Sequence, residues 1–262
     1  MDWQAEDLWE QLVTLVPRIS IEVVPELAST NTTLLERARL GDASPCLLIA
    51  ERQTAGRGRL GRQWQAAEGR SLTFSLAWPA EWDDWSGLSL VVGLAIAQGL
   101  DPTGQHLGLK WPNDLWLKDQ DRKLGGILIE TTTLPDTPDQ RLAVIGIGLN
   151  IAPRDPADTT PLASGYACVQ EWLPQADAAQ VLHWVALPLL KALNTFAQAG
   201  FAPFQSAFDA RDVLAGRTVR AGELEGTVLG VDPLGQLLVQ TTSCISAVSS
   251  GEVQPQVSVR PC

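Results

Sequence analysis

Several residue types that would each announce a chemistry are scarce in this chain of 262 residues. There are two histidines, His106 and His183, and no CxxC pair among the four cysteines Cys46, Cys168, Cys244 and Cys262. A structural zinc site needs Cys or His ligands at close spacing, so none is expected. Widely spaced cysteines in a chain long enough to bury a core read as reduced thiols, not as a disulfide framework. Cys46, beside an apolar run, reads as a small core residue. Neither GxSxG nor the Walker A pattern occurs, so nothing indicates a nucleophile-elbow hydrolase or a P-loop. No stretch of 18 residues is free of charged and helix-breaking residues, and the start, MDWQAEDLWEQLV, is acidic where a secretory signal is basic. A membrane span and a leader are therefore not expected, and the chain reads as cytoplasmic. Lysine is sparse, four residues against fifteen arginines, and 19 Lys plus Arg face 30 Asp plus Glu for a net charge of −11. That balance argues against duplex DNA as a partner of the whole surface, while leaving room for a local basic pocket.

What is abundant is apolar: 45% of the chain is AVILMFWYC, too much for disorder along most of its length. Ten tryptophans are unusual, though composition assigns them no role. Periodicity predicts a helix over 1–18, a strand from Ile21 to Val24, and a helix capped near Ser29-Thr30-Asn31. A buried strand from Leu47 to Ala50 opens into a Gly/Arg loop, Thr54 to Gly61, and a strand from Ser71 to Trp78 ends at Pro79. An apolar helix spans Leu88 to Leu100. Leu107 to Trp111 is read as a strand entering a Pro-Asn turn, and Trp116-Leu117 with Gly126 to Glu130 as a hairpin around Lys118 to Arg122. A further strand runs from Leu142 to Leu149. A proline-containing loop, 153–164, precedes a helix over Val181 to Ala197 that Pro188 kinks or breaks, and a short helix over Phe201 to Leu214. After Ala215, glycines punctuate short apolar pieces in the pattern of a small β-barrel or sandwich. The fold class is therefore α+β, a mixed β-sheet covered by helices with a small C-terminal β unit. The boundary is placed between 1–212 and 213–262. The second unit is too small to stand confidently alone.

Four segments carry chemistry. GRGRLGRQW, Gly56 to Trp64, contains a GxGxxG match, but its three interrupting arginines and the strand that follows argue against a dinucleotide fold. Glycines allow close backbone approach and guanidinium forks suit phosphate and carboxylate oxygens; the alternative is a solvated loop. In Lys110-Trp111-Pro112-Asn113-Asp114, Lys110 can meet phosphate oxygens and Asp114 can help hold Mg²⁺, or the turn can merely cap its own backbone. Lys123 precedes Gly125 and Gly126 in RKLGGILIE and can point into a pocket or into water. GIGLN, Gly146 to Asn150, is a strand end that allows close approach or simply an edge.

Together these segments, with Ser29-Thr30-Asn31 upstream, resemble the biotin protein ligase family, the biotin–[acetyl-CoA-carboxylase] ligases, in order and approximate spacing over residues 20–155. The tail is similar to the family's SH3-like C-terminal domain. The resemblance implies a class II synthetase-like catalytic domain of the short class that lacks a DNA-binding domain. It further implies that biotin and ATP give biotinyl-5′-AMP and pyrophosphate with Mg²⁺, and that biotin then passes to a lysine of the biotin carboxyl carrier protein of acetyl-CoA carboxylase. It assigns catalysis to Lys123, Arg57, Arg59 and Asp114, and biotin binding to Ser29, Thr30, Asn31, Gln53, Gly56, Arg57, Arg59, Lys123, Gly125 and Gly126. It assigns ATP binding to Arg57, Arg59, Arg62, Trp64, Lys110, Asn113, Asp114, Lys123 and Asn150. Leu60 departs from relatives that carry another arginine there. No DNA or membrane partner is implied, and a homodimer stays open. The loop 54–62 is expected to be mobile when empty, because its like charges repel, and ordered when adenylate is bound. Two other readings remain: a lipoate–protein ligase, whose HD pair is missing here since Leu107 follows His106, and a non-catalytic biotin-binding protein.

Overall fold

Continuous apolar runs buried on both faces need cover on both faces, and the chain supplies it. The structure, a computed structural model, describes residues 1–80, 82, 84–118, 120–135, 140–158, 162 and 164–256. Asp119, Pro161 and Cys262 lie outside the described residues. Strands β1 (Ser20–Leu27), β2 (Cys46–Gln53), β3 (Ser71–Ala80), β4 (Leu107–Lys110), β5 (Asp114–Leu117), β6 (Arg122–Thr133) and β7 (Arg141–Asn150) form one seven-stranded sheet in the order β1-β2-β3-β7-β6-β5-β4. Only β1 and β2 pair in parallel. A parallel pair needs a crossover, which α2 (Thr30–Arg39) provides. On one face α2 buries Leu34, Leu35 and Ala38 against Leu48, Leu142 and Val144. On the other lies α3 (Leu88–Leu100), covered in turn by α4 (Ala178–Ala199), which explains why α3 is apolar on nearly all sides. α1 (Ala5–Val13) packs against α4.

Four expectations need correction, and proline lies behind three. The first helix stops at Val13 instead of running to 18, because Pro17 cannot donate and disfavours helical backbone before it. β3 continues through Pro79 to Ala80. Pairing with β2 ends at Ala77, so Pro79 faces an unpaired flank and forfeits no bond there. Pro188 does not break α4, which is one helix of 22 residues. The Trp184 carbonyl, four residues before Pro188, lies against α3: a Cβ added at Gly99 would stand 2.6 Å from it. The helix expected over 201–214 reduces to a 3₁₀ turn, Ala202–Phe204, and α5 (Gln205–Asp209). Beyond it the chain joins the sheet edge, with Leu109 N–H donating to Arg211 O (2.8 Å) and Val213 N–H to Leu109 O (3.0 Å).

Buried Arg211 holds this junction. Its Nη2 donates to Asp101 O at 2.6 Å, and its Nη1 lies 3.5 Å from the Asp101 carboxylate. Burial alone would raise the Asp101 pKa. Hydrogen bonds from the backbone of Leu107, His106 and Gln105 and from Thr103 outweigh it and hold the carboxyl below the usual range. The tail then forms a five-stranded antiparallel sheet of β8 (Thr218–Ala221), β9 (Leu224–Val231), β10 (Leu237–Gln240), β11 (Ile245–Val248) and β12 (Val253–Pro255), in the order β11-β10-β9-β8-β12. This second sheet fits the SH3-like unit expected. Its buried Val219, Val228, Leu237 and Val239 belong to the same apolar cluster as the main sheet.

Two stability measurements check this packing. Gly99→Ala gains helix propensity but drives a methyl into the Trp184 carbonyl. Overpacking of this kind costs about 1–3 kcal/mol, so chemical denaturation should show a net loss; a gain would mean the two helices are further apart. Asp212 has one carboxylate oxygen accepting from Leu214 N–H at 2.8 Å and the other buried without a hydrogen-bond partner. Burial pushes its pKa up to about 6. An acid whose folded pKa is raised weakens the fold as pH climbs through the interval between its unfolded value and about 6. Asp212→Asn should therefore raise the melting temperature at pH 8 and leave it unchanged below about pH 4, near the unfolded pKa of Asp.

Candidate active site

The Gly/Arg loop leaves β2 and folds back on itself. Trp64 N–H donates to Gly56 O (3.0 Å), Gly58 N–H to Arg62 O (2.8 Å), and Arg57 bridges Gln63. The turn at its tip uses left-handed backbone at exposed Leu60 (φ 55°) and at Gly61 (φ 74°). The loop lies over the end of the sheet where α2 begins. Ser29 caps α2 by accepting from Thr32 N–H (3.4 Å), and the Gln53 side chain accepts from Thr30 N–H at 2.7 Å. From β3, Ser75 Oγ sits 2.6 Å from both Thr30 Oγ1 and Asn31 Oδ1. Ser29, Thr30, Asn31 and Gln53 line a narrow cavity of about 60 Å³ together with Arg57, Arg59, Trp64, Asn113, Lys123 and Gly126. Its floor is β7, where Gly146 and Gly148 leave space for their neighbours: a Cβ at Gly146 would meet Asn31 Oδ1, and one at Gly148 the Trp64 indole.

A cleft of about 1190 Å³ adjoins it and shares Gly58, Arg59, Trp64, Asn113 and Lys123. Arg62, Lys110, Asp114, Asn150 and the C-terminal Gly251 to Pro255 also line this cleft. Lys123 therefore stands between a small polar pocket and a large one. Its position comes from a register shift where β5 meets β6: Leu115 faces Gly125 and Trp116 faces Lys123, so Leu124 is the extra residue. The Lys123 ammonium donates to Asp114 Oδ1 at 2.7 Å. Lys110 lies 5.2 Å from the centre of the Trp116 ring, and burial pulls its pKa below the usual ammonium value, opposed by the charge of Asp114.

The loop cations are not left to repel one another. Arg57 pairs with Glu130 (2.8 Å), Arg59 donates to Asn113 Oδ1 (2.9 Å), and Arg62 pairs with Glu252 of the C-terminal sheet (2.5 Å). Each loop cation thus has an acceptor within the protein. Asn150 turns its amide N–H groups to Ala167 O and Lys123 O, pinning the strand that carries Lys123, while it also lines the cleft. Gly56 and Gly125 line neither cavity. Glu130, Glu252 and Ser75 were not singled out from the sequence. Among the described residues no three His, Cys, Asp or Glu side chains cluster as metal ligands. Asp114 offers one carboxylate oxygen beyond its contact with Lys123, which suits an Mg²⁺ ion that arrives on phosphates. No helix among them is long and apolar enough to cross a membrane.

Comparison with known proteins agrees with this geometry. The model of the biotin/lipoate A/B protein ligase family matches residues 23–150. The bifunctional ligase/repressor BirA of Escherichia coli is 37% identical over 242 residues, covering 89% of this chain and 73% of that protein. The biotin–[acetyl-CoA-carboxylase] ligase of Mycobacterium tuberculosis is 32% identical over 252 residues, covering 89% and 88%. The solved biotin protein ligase of Aquifex aeolicus, in complex with biotin and ATP, superimposes with a TM-score of 0.75 at 29% identity, covering 90% of this chain and 98% of that one. A small pocket and a large one meeting at a lysine, in a chain similar along most of its length to ligases of this kind, lead to one conclusion: the chain belongs to the biotin protein ligase family.

Proposed function

We propose that the narrow cavity takes biotin, the adjoining cleft takes ATP, and the chain joins them as a biotin–[acetyl-CoA-carboxylase] ligase. The observation that carries this reading is the sharing of Lys123, Arg59 and Trp64 by both cavities. Ser29, Thr30, Asn31 and Gln53 present hydroxyl and amide groups suited to a ureido ring. Arg57, Arg59 and Lys123 face the carboxylate and the α-phosphate. Arg62, Trp64, Lys110, Asn113, Asp114 and Asn150 serve the nucleotide side. Mg²⁺ held by ATP and Asp114 would neutralise phosphate charge.

The chemistry follows from charge. The biotin carboxylate is ionised near neutral pH and needs no general base. One of its oxygens attacks the α-phosphorus, the bond from that phosphorus to the bridging oxygen breaks, and pyrophosphate leaves. The barrier is repulsion between anions and the charge growing on phosphorus. Lys123 and the loop arginines oppose both from fixed positions in a partly dry site. In the second step a neutral lysine amine of the carrier domain attacks the acyl carbon and AMP leaves. Asp114 can orient that amine and accept its proton once the substrate anion draws Lys123 away.

The acidic chain and the demand for ATP support a cytoplasmic enzyme whose macromolecular partner is the carrier protein and not DNA. We place the limit of the catalytic unit at 212 and the SH3-like unit at 213–262, since the second sheet starts at Thr218, just past the junction at Arg211.

Two variants test the reading. Lys123→Ala should cut biotin-dependent ATP–pyrophosphate exchange by about 10²–10³, the usual cost of one lost charge-stabilising donor, with the fold retained by circular dichroism. Normal exchange would remove Lys123 from the mechanism. Arg57→Gly should release biotinyl-adenylate faster and label stray lysines on unrelated proteins; unchanged release would show that the loop does not retain the intermediate.

A further inference from the structure

Both ends of the cavity-facing side of β6 carry charge. Lys123 stands at one end. Gly126 and Leu128 line the cavity between, and Glu130 follows at the other end, two residues beyond Leu128 in strand alternation. Glu130 Oε1 accepts from Arg57 Nη2 at 2.8 Å and Oε2 from Arg57 Nη1 at 3.0 Å. The same Oε2 accepts from Asn31 Nδ2 at 3.0 Å. Asn31 is buried and itself fixed, through Leu128 O and Ser75 Oγ, to the wall of the cavity. Glu130 is thus a carboxylate anchored on one side by a buried amide and offering its fork to the loop on the other.

We propose that Glu130 is a positioning residue that orients Arg57 over the reacting anions, an assignment that rests on the ligase reading above. Competition is the opposite possibility, since a carboxylate on Arg57 can block a ligand. The donor inventory decides against it. A guanidinium has five N–H groups; Glu130 takes one from each terminal nitrogen. Nε–H and the second hydrogen of each terminal nitrogen remain, and the other acceptor near them is Thr32 Oγ1, 3.5 Å from Nη1. Glu130 and an oxyanion can therefore be held together. A fold-stabilising role is also a poor account of the pair. Arg57 is 45% exposed, and ion pairs so open to water add little to stability. An arginine on a loop between Gly56 and Gly58 that lacked this anchor would have to lose its rotamer freedom on binding instead.

The test uses the full-length chain with biotin and MgATP. Glu130→Gln keeps an acceptor for Asn31, so the fold and the melting temperature should be retained. Release of radiolabelled biotinyl-adenylate should quicken about tenfold, the scale of one charge-assisted contact, and Arg57→Gln should do the same or more. The double variant should be no worse than Arg57→Gln alone, because Glu130 acts through Arg57. Glu130→Asp, with the charge one methylene back, gives a second reading: faster release in the Arg57 background with no added loss when Arg57 is already Gln. Wild-type release from Glu130→Gln, slower release, or losses that add in the double variant would each overturn the assignment. Wild-type chain without biotin-dependent exchange would overturn the ligase reading and the assignment with it.

Discussion

The 2.7 Å contact between the Lys123 ammonium and the Asp114 carboxylate sets the terms for everything around it. A site that brings two anions together must keep positive charge in a partly desolvated place before either anion arrives. An unpaired cation there is costly. Here four of the cations wait against an acceptor of the chain's own: Lys123 on Asp114, Arg57 on Glu130, Arg59 on Asn113, Arg62 on Glu252. The acceptors differ in consequence. On the mechanism proposed above, Asp114 would become available once Lys123 turns to substrate. Glu130 stands behind its arginine and need not leave.

Secondary structure supplies the rigidity that such pairing needs. Asp114 opens β5 and Lys123 lies near the start of β6, so the pair spans a hairpin whose register is shifted by one residue at Leu124. Without that shift the alternation along β6 would send the Lys123 side chain to the face opposite Gly126 and Leu128. Asn150 fastens the same point from β7 through the Lys123 carbonyl. The C-terminal sheet contributes from outside: Trp111, between Lys110 and Pro112, donates its indole N–H to Gly235 O at 3.0 Å, and Arg217 grips Asp121 on the hairpin that leads to Lys123. The small unit buttresses the segments that carry the site's charges.

Much of this was legible in the sequence, and the limits have physical causes. The four motifs are contiguous, their residue types match the charge of the reactants, and the structure brings their principal side chains to two adjoining cavities. Strands and helices with strong periodicity emerged where expected. Proline misled in both directions, because its effect depends on what faces it: before Pro17 a helix expected to run on to 18 stops at Val13. Pro79 was expected to end a strand, but the flank beside it has no partner. Pro188 was expected to disturb a helix that stays whole. Glu130 and Glu252 escaped notice because their meaning lies in partners far along the chain. Arg57 and Glu130 are 73 residues apart in sequence, and a carboxylate at the exposed end of a strand looks like any solubilising charge.

The same pairing ties an arginine-rich loop to the rest of the fold. Its cations draw on three different parts of the fold: β6 through Glu130, the turn before β5 through Asn113, and the C-terminal sheet through Glu252. No single element holds the loop, and each contact is a half-exposed or solvent-edge interaction of modest strength. On the proposed reading, an oxyanion entering beneath the loop would meet donors already aimed, at the cost of rearranging only those contacts it displaces. On the proposed assignment of the cleft to ATP, adenylate, with one phosphate, would leave the outer pair at Arg62 in place, and ATP, with its longer anionic chain, would reach toward it. A site that must admit a triphosphate, release pyrophosphate and retain the adenylate would use that difference in charge.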